Sequence, residues 1–116
     1  MIIKVLSSYK AEAYEEALKL VEMRGHKVWR SWNEKIDLIL CPDYDVILSM
    51  DEIKQSRLGA LVFHPSPLPR MKGKNAIKRQ YKAGDVIGGG TWFWANEKID
   101  SGLICVQEKT PIRYDL

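Results

Sequence analysis

Residues Ile2 to Ser7 are apolar toward both sides, the pattern of a strand in a parallel sheet covered on both faces. From Ala11 to Arg24, Tyr14, Ala17, Leu18, Val21 and Met23 line one stripe, with Glu12, Glu15, Glu16 and Lys19 on the other side. That spacing predicts an amphipathic helix, and Gly25 stands where a C′ glycine would end it. Lys27 to Trp32 predicts a second strand and completes an opening β-α-β unit. Asn33 to Tyr44 is ambiguous: Ile36 to Leu40 reads as a short strand or a buried turn, closed by Pro42. Asp45 to Met50 predicts a buried strand, followed by a short polar helix from Asp51 to Arg57. Leu61 to Phe63 is the next strand, Asn75 to Ala83 a helix capped by Gly84. Gly89 to Ala95 and Leu103 to Thr110 supply the last two strands. This alternation predicts an α/β fold of three layers, with right-handed crossovers around a mostly parallel sheet.

Composition narrows the setting. With 116 residues, 46% hydrophobic and 28% charged, residues 1–116 suit a single soluble domain. No apolar run approaches the ~20 residues of a membrane span, so no membrane partner is expected. The first residues read as a strand, not a signal peptide, which makes a cytoplasmic location the default. Cys41 and Cys105 suggest neither a disulfide framework nor a metal cluster, and both read as buried reduced thiols. The turn Ser7-Ser8-Tyr9-Lys10 lacks a Gly-x-Gly-x-x-Gly, which argues against a dinucleotide there.

The net charge of +3 is mild, but it is unevenly placed. Arg70, Lys72, Lys74, Lys78, Arg79 and Lys82 form a patch that suits phosphate or nucleic acid, or else the solvated face of a helix. No nucleic-acid motif accompanies it. Just before the patch, Val62-Phe63-His64-Pro65-Ser66-Pro67-Leu68-Pro69-Arg70-Met71-Lys72-Gly73 carries a histidine from a strand into a loop of three prolines. Each proline fixes its own φ and biases the residue before it toward extended geometry, which holds His64 and Ser66 in place. The plain alternative is a proline-rich connection with an incidental histidine. Gly88-Gly89-Gly90 ahead of Thr91 either leave room for a flat ring or mark a β-bulge or flexible strand start. Trp92 and Trp94 share a strand face, with Phe93 opposite, and either stack on a ligand or pack the core.

Taken with Asn96-Glu97-Lys98-Ile99-Asp100-Ser101-Gly102, this loop resembles the folate-dependent formyltransferase family. That family includes methionyl-tRNA, glycinamide ribonucleotide and sugar-nucleotide formyltransferases and formyltetrahydrofolate deformylase. Its loop His-x-Ser-x-Leu-Pro-x-x-Arg/Lys-Gly corresponds to His64 through Gly73. The Gly-Asp step corresponds to Gly84-Asp85, the Gly-x-Thr strand opening to Gly89-Gly90-Thr91, and the acidic turn to Ile99-Asp100-Ser101-Gly102. The resemblance spans roughly Tyr44 to Ile112. It implies a Rossmann-like core, 10-formyltetrahydrofolate as co-substrate, no metal, His64 and Asp100 as the catalytic pair, and Gly88, Gly89, Gly90, Ile99 and Asp100 beside the folate. One position departs: the family has Asn as an oxyanion donor two residues before the histidine, and this chain has Val62. Losing such a donor costs ~10²–10³ in rate unless another group replaces it. Ser66 and Asn75 are the candidates, with Asn96 ranked after them.

In formyl transfer a neutral amine attacks the formyl carbon, an oxyanion develops, and the nitrogen must shed a proton. Histidine suits both tasks near neutral pH, and a carboxylate beside it orients the ring and stabilises its charge. Both groups are expected at the carboxyl edge of the sheet, where open α/β folds place ligands. Arg70, Lys72 and Lys74, leading into a helix start, imply that the amine acceptor is a small phosphorylated molecule such as a nucleotide or sugar nucleotide. The expected activity is therefore that of a formyltransferase. Hydrolysis of the same folate and non-catalytic folate or nucleotide binding are the alternatives. Family members are longer in both halves, so the chain reads as a trimmed core, with tRNA not expected as acceptor and a homodimer expected.

Overall fold

The computed structural model describes residues 1–7, 12–43, 48–96 and 102–114. Strands β1 (Ile2–Ser7), β2 (Lys27–Val28), β3 (Leu38–Asp43), β4 (Ala60–His64), β5 (Ile87–Trp94) and β6 (Ile104–Pro111) form one sheet in the order β2-β1-β3-β4-β5-β6. The first four pair in parallel, while β5 is antiparallel to β4 and β6 to β5. Helices α1 (Glu12–Met23), α2 (Met50–Ile53) and α3 (Ala76–Ala83) lie in the connections.

Burial follows the two-residue alternation of β3. Leu38 joins Ile3, Val28 and Val21 of α1 in one apolar cluster. Ile39 and Cys41 join Ile36, Leu48, Ile53 and Ala60 in another, on the opposite face. A strand buried on both faces needs apolar residues at every position, which is what Leu38-Ile39-Leu40-Cys41 provides. Complete burial stabilises each such side chain by about 1.5–3 kcal/mol. Cys41 is fully buried, and that burial pushes its thiol up to about 12. Cys105 is not the buried thiol expected, since it is exposed on β6.

Three expectations are corrected. Pro42 does not close the stretch over Ile36 to Leu40: the chain runs extended over Leu38–Asp43, straight through it. Of the strand expected at Asp45 to Met50, residues 45–47 lie outside the described residues. Proline brings no N–H to a ladder, and here the pairing with β4 stops at Cys41 while the register with β1 shifts between Leu40 and Asp43. Ser49 and Met50 are not strand. Ser49 Oγ accepts from Glu52 N at 3.1 Å, and the Glu52 carboxylate accepts from Ser49 N at 3.2 Å, a reciprocal cap that starts α2. Finally, β2 spans two residues, not six. Beyond it Ser31, Asn33 and Glu34 fold into a turn, with Glu34 N donating to Ser31 O at 2.9 Å.

Asp37 ties the sheet together at the foot of β3. One carboxylate oxygen accepts from Ile2 N at 2.7 Å and the other from Arg57 Nε at 3.1 Å. These bonds, the backbone one foremost, hold its carboxyl below the usual range. A carboxyl lowered by folding contributes stability that is present above its unfolded pKa of about 3.9 and is lost as pH falls through the folded value. Urea midpoints measured from pH 6 down to pH 2 should fall below about pH 4, and Asp37→Asn should flatten that part of the curve.

Candidate active site

His64 is the last residue of β4, opposite Thr91 on β5, and its side chain is buried. Ring nitrogen Nε2 lies 2.6 Å from Met71 O. A carbonyl only accepts, so Nε2 carries a proton and Nδ1 is the basic nitrogen of the neutral ring. The loop is therefore built to present one tautomer.

What holds Met71 O there is a run of left-handed residues. Met71, Gly73 and Asn75 have φ of 59°, 88° and 59°. Such a turn directs carbonyls inward, where the Arg79 guanidinium collects them: Nε donates to Lys74 O at 2.9 Å, and Nη2 donates to Lys72 O and, at 3.4 Å, to Met71 O. Five donors in a rigid fork suit this task better than any other side chain.

The prolyl part of the loop is fastened to β5 and β6. Thr91 is fully buried; its hydroxyl donates to Ser66 O at 2.7 Å and accepts from Leu68 N at 3.1 Å and Gln107 Nε2 at 2.9 Å. Gln107 Nε2 also donates to Leu68 O, and Gln80 Nε2 of α3 donates to Pro65 O, each at 2.9 Å. Arg79, Gln80 and Gln107 were not singled out from sequence for these roles. Their amides and guanidinium meet loop carbonyls across 15 or 39 residues of chain in two cases, separations no local pattern carries. Thr91 did stand in the Gly-x-Thr motif.

Several residues expected at the site have other commitments. Arg70 is the clearest case: its Nε and Nη2 donate to the two carboxylate oxygens of Asp85 at 3.0 and 2.6 Å. The guanidinium beside it holds the Asp85 carboxyl below its ordinary value. Asp85 O in turn accepts from the Tyr114 hydroxyl at 2.6 Å, and Tyr114 packs edge-on against Tyr81 at 5.3 Å. Ser66 is fully buried with its hydroxyl donating to Arg70 O, so it braces the loop. Asn75 is exposed at the start of α3 and makes no side-chain cap. Lys72 and Lys74 are exposed on the same turn.

The glycines have packing reasons. A Cβ at Gly90 would stand 2.5 Å from the Phe63 ring, which itself packs on Trp92 at 5.4 Å. A side chain at Gly89 would run into Glu108 O, and one at Gly88 would press on Ile112. Val62 shares the face of Ala60 and His64 and packs against the Ile39–Cys41 cluster.

Ile99 and Asp100 lie outside the described residues. Their flanks are placed. Because β5 is antiparallel, its end at Trp94 lies beside Leu61, three residues before His64. Trp94 N donates to Leu103 O at 2.8 Å, and a Cβ on Gly102 would collide with Trp94 O.

The family described as formyl transferase matches residues 5–116. A methionyl-tRNA formyltransferase of Symbiobacterium thermophilum is 38% identical over 79 residues, 68% of this chain and 24% of that protein. A phosphoribosylglycinamide formyltransferase of Haemophilus influenzae is 38% identical over 77 residues, 66% of this chain and 36% of that protein. Among solved structures, HypX from Aquifex aeolicus in complex with tetrahydrofolic acid is 25% identical, with a TM-score of 0.85 over 97% of this chain and 22% of that one. The chain spans 8% to 36% of the length of the curated relatives it matches.

Replacing Thr91 by valine keeps the shape and removes the hydroxyl's bonds to Ser66 O, Leu68 N and Gln107 Nε2, while Leu68 N still donates to Ser66 O at 3.0 Å. A net buried hydrogen bond is worth about 0.5–1.5 kcal/mol, so Thr91→Val should lose about 1–3 kcal/mol in urea unfolding. Thr91→Ser, which retains the hydroxyl, should lose about half as much.

Proposed function

Because this chain belongs to the formyl transferase family, we propose that it transfers a formyl group from 10-formyltetrahydrofolate to the amino group of a small anionic acceptor, with His64 and Asp100 as the working pair. The observation that carries this reading is the buried His64, held in one tautomer by Met71 O within a loop braced from three elements. The folate supplies an acyl carbon bonded to a nitrogen that can leave. The amine forms the new C–N bond, the carbonyl electron pair moves to oxygen, and its return breaks the bond to the folate nitrogen. The proton lost by the amine ends on that nitrogen. His64 Nδ1, basic in the neutral ring, takes the proton, and in the charged ring Nδ1–H faces the oxyanion and then returns it.

Asp100 enters this reading through reach. Leu61 and His64 are about 10 Å apart at ~3.3 Å per residue. Gly102 is packed at Trp94, beside Leu61, and two extended residues from Gly102 to Asp100 cover up to ~7 Å. The remaining gap is about the length of the two side chains. With Arg70 committed to Asp85, Lys72 and Lys74 are the cations proposed to receive the acceptor's phosphate. A homodimer belongs to the same reading, supported by β6, an edge strand where Ile104 and Val106 are exposed beside Leu103. Light scattering that returns a monomer mass would remove that element.

Val62 favours a second reading, a protein of this fold that binds folate or hydrolyses it slowly. The assay is incubation of the protein with the folate donor, with and without a pool of small phosphorylated amines. Amine-dependent loss of donor without formate is expected. Formate release in buffer would make it a hydrolase, and tight binding with neither would make it a binding protein. His64→Ala should abolish turnover while circular dichroism is unchanged. Val62→Asn, which adds an oxyanion donor, should raise kcat by up to about 10²-fold.

A further inference from the structure

A recess of about 780 Å³ opens at the end of the parallel strands away from His64, where β3 and β4 begin. Its wall includes Trp29, Trp32, Lys4, Lys35 and Lys54, none of them part of the His64 loop. Three features set it apart from ordinary surface. The first is Lys4, a charged residue on a central strand, with Ile39 and Trp29 as its neighbours on β3 and beyond β2. Its Nζ lies 4.5 Å from the Trp29 ring centroid. The second is Trp32, 89% exposed at the rim on the turn that shortens β2. An indole left in water forgoes the burial that usually accounts for its presence.

The third feature is charge. The wall carries Lys4, Lys35, Lys54 and Arg57 against two carboxylates, Glu34 and Asp37. Both carboxylates are already matched. Glu34 takes Lys27 Nζ at 2.5 Å and Arg30 N at 3.3 Å, and Asp37 takes Ile2 N and Arg57. Among the described residues, no carboxylate pairs with Lys4, Lys35 or Lys54. Trp29 is fixed by its indole N–H, which donates to Glu34 O at 3.1 Å.

Two indoles and lysines that no described carboxylate pairs, around one concavity, call for a flat aromatic ring bearing an anionic group, and the volume lies within the usual ~300–1,000 Å³ of small-molecule sites. We propose that this recess binds a purine nucleoside phosphate, with the base stacked on Trp32 and the phosphate received by Lys35 and Lys54. The site shares no residue with the formyl-transfer reading and stands or falls apart from it.

The test is titration of the full chain with AMP, followed by the indole N–H resonances of Trp29 and Trp32, with inorganic phosphate as the control. Saturable movement of both signals is expected, with a Kd below about 1 mM, in the range of base–aromatic stacking plus two cations. Trp32→Ala, at an exposed position that leaves the core intact, should weaken binding about tenfold or more. Lys35→Ala with Lys54→Ala should weaken it and flatten its salt dependence, while His64→Ala should leave it unchanged. Indole signals unmoved at about 10 mM AMP would overturn the proposal, as would equal shifts with phosphate. So would sedimentation showing that Trp32 mediates self-association while AMP has no effect.

Discussion

A carbonyl oxygen 2.6 Å from an imidazole nitrogen sets the terms for the rest of the site. For Met71 O to reach His64, the backbone after the prolines must pass through three left-handed residues, two of which are not glycine. Non-glycine residues resist that conformation. Arg79 offsets the cost by satisfying the carbonyls such a turn exposes inward, and Thr91, Gln107 and Gln80 anchor the loop's other half. The histidine is oriented by the whole assembly, not by its immediate neighbours.

The sheet divides the labour. Its parallel part, β2-β1-β3-β4, is buried on both faces around β3 and delivers the histidine at a strand end. Its antiparallel part, β5 and β6, is mostly exposed on the β6 side and supplies the polar groups that fasten the loop. Stability and positioning thus rest on different strands, joined through Thr91, which pairs with His64 in the ladder and with Ser66 by its hydroxyl.

Much of this was legible in the residues. The apolar run of β1, the stripe of α1 with its terminal glycine, and the glycine after α3 each have a local physical cause, and each appears within one or two positions of where the pattern put it. The length of β3 has a cause too. Pro42 was read as a stop, but an extra residue in β3 opposite β1 lets the chain pass it, and the Ser49–Glu52 cap that starts α2 was overlooked. At the site, His64 and Thr91 could be found from motif spacing. The bidentate pairing of Arg70 with Asp85, and the use of Arg79 for carbonyls in place of phosphates, could not. A cluster of cations in sequence says nothing of which ones the fold consumes internally.

Asp85 joins parts of the chain that look independent. Its carboxylate grips Arg70 at the end of the prolyl loop, and its carbonyl receives Tyr114 beyond β6, while Ile112 N donates to Val86 O alongside. Peeling away the stretch after β6 therefore removes the Tyr114 bond to the residue that grips Arg70 at the end of that loop. The two should open together as one cooperative unit in native-state amide exchange, which ties order in the His64 loop to a few residues far along the chain.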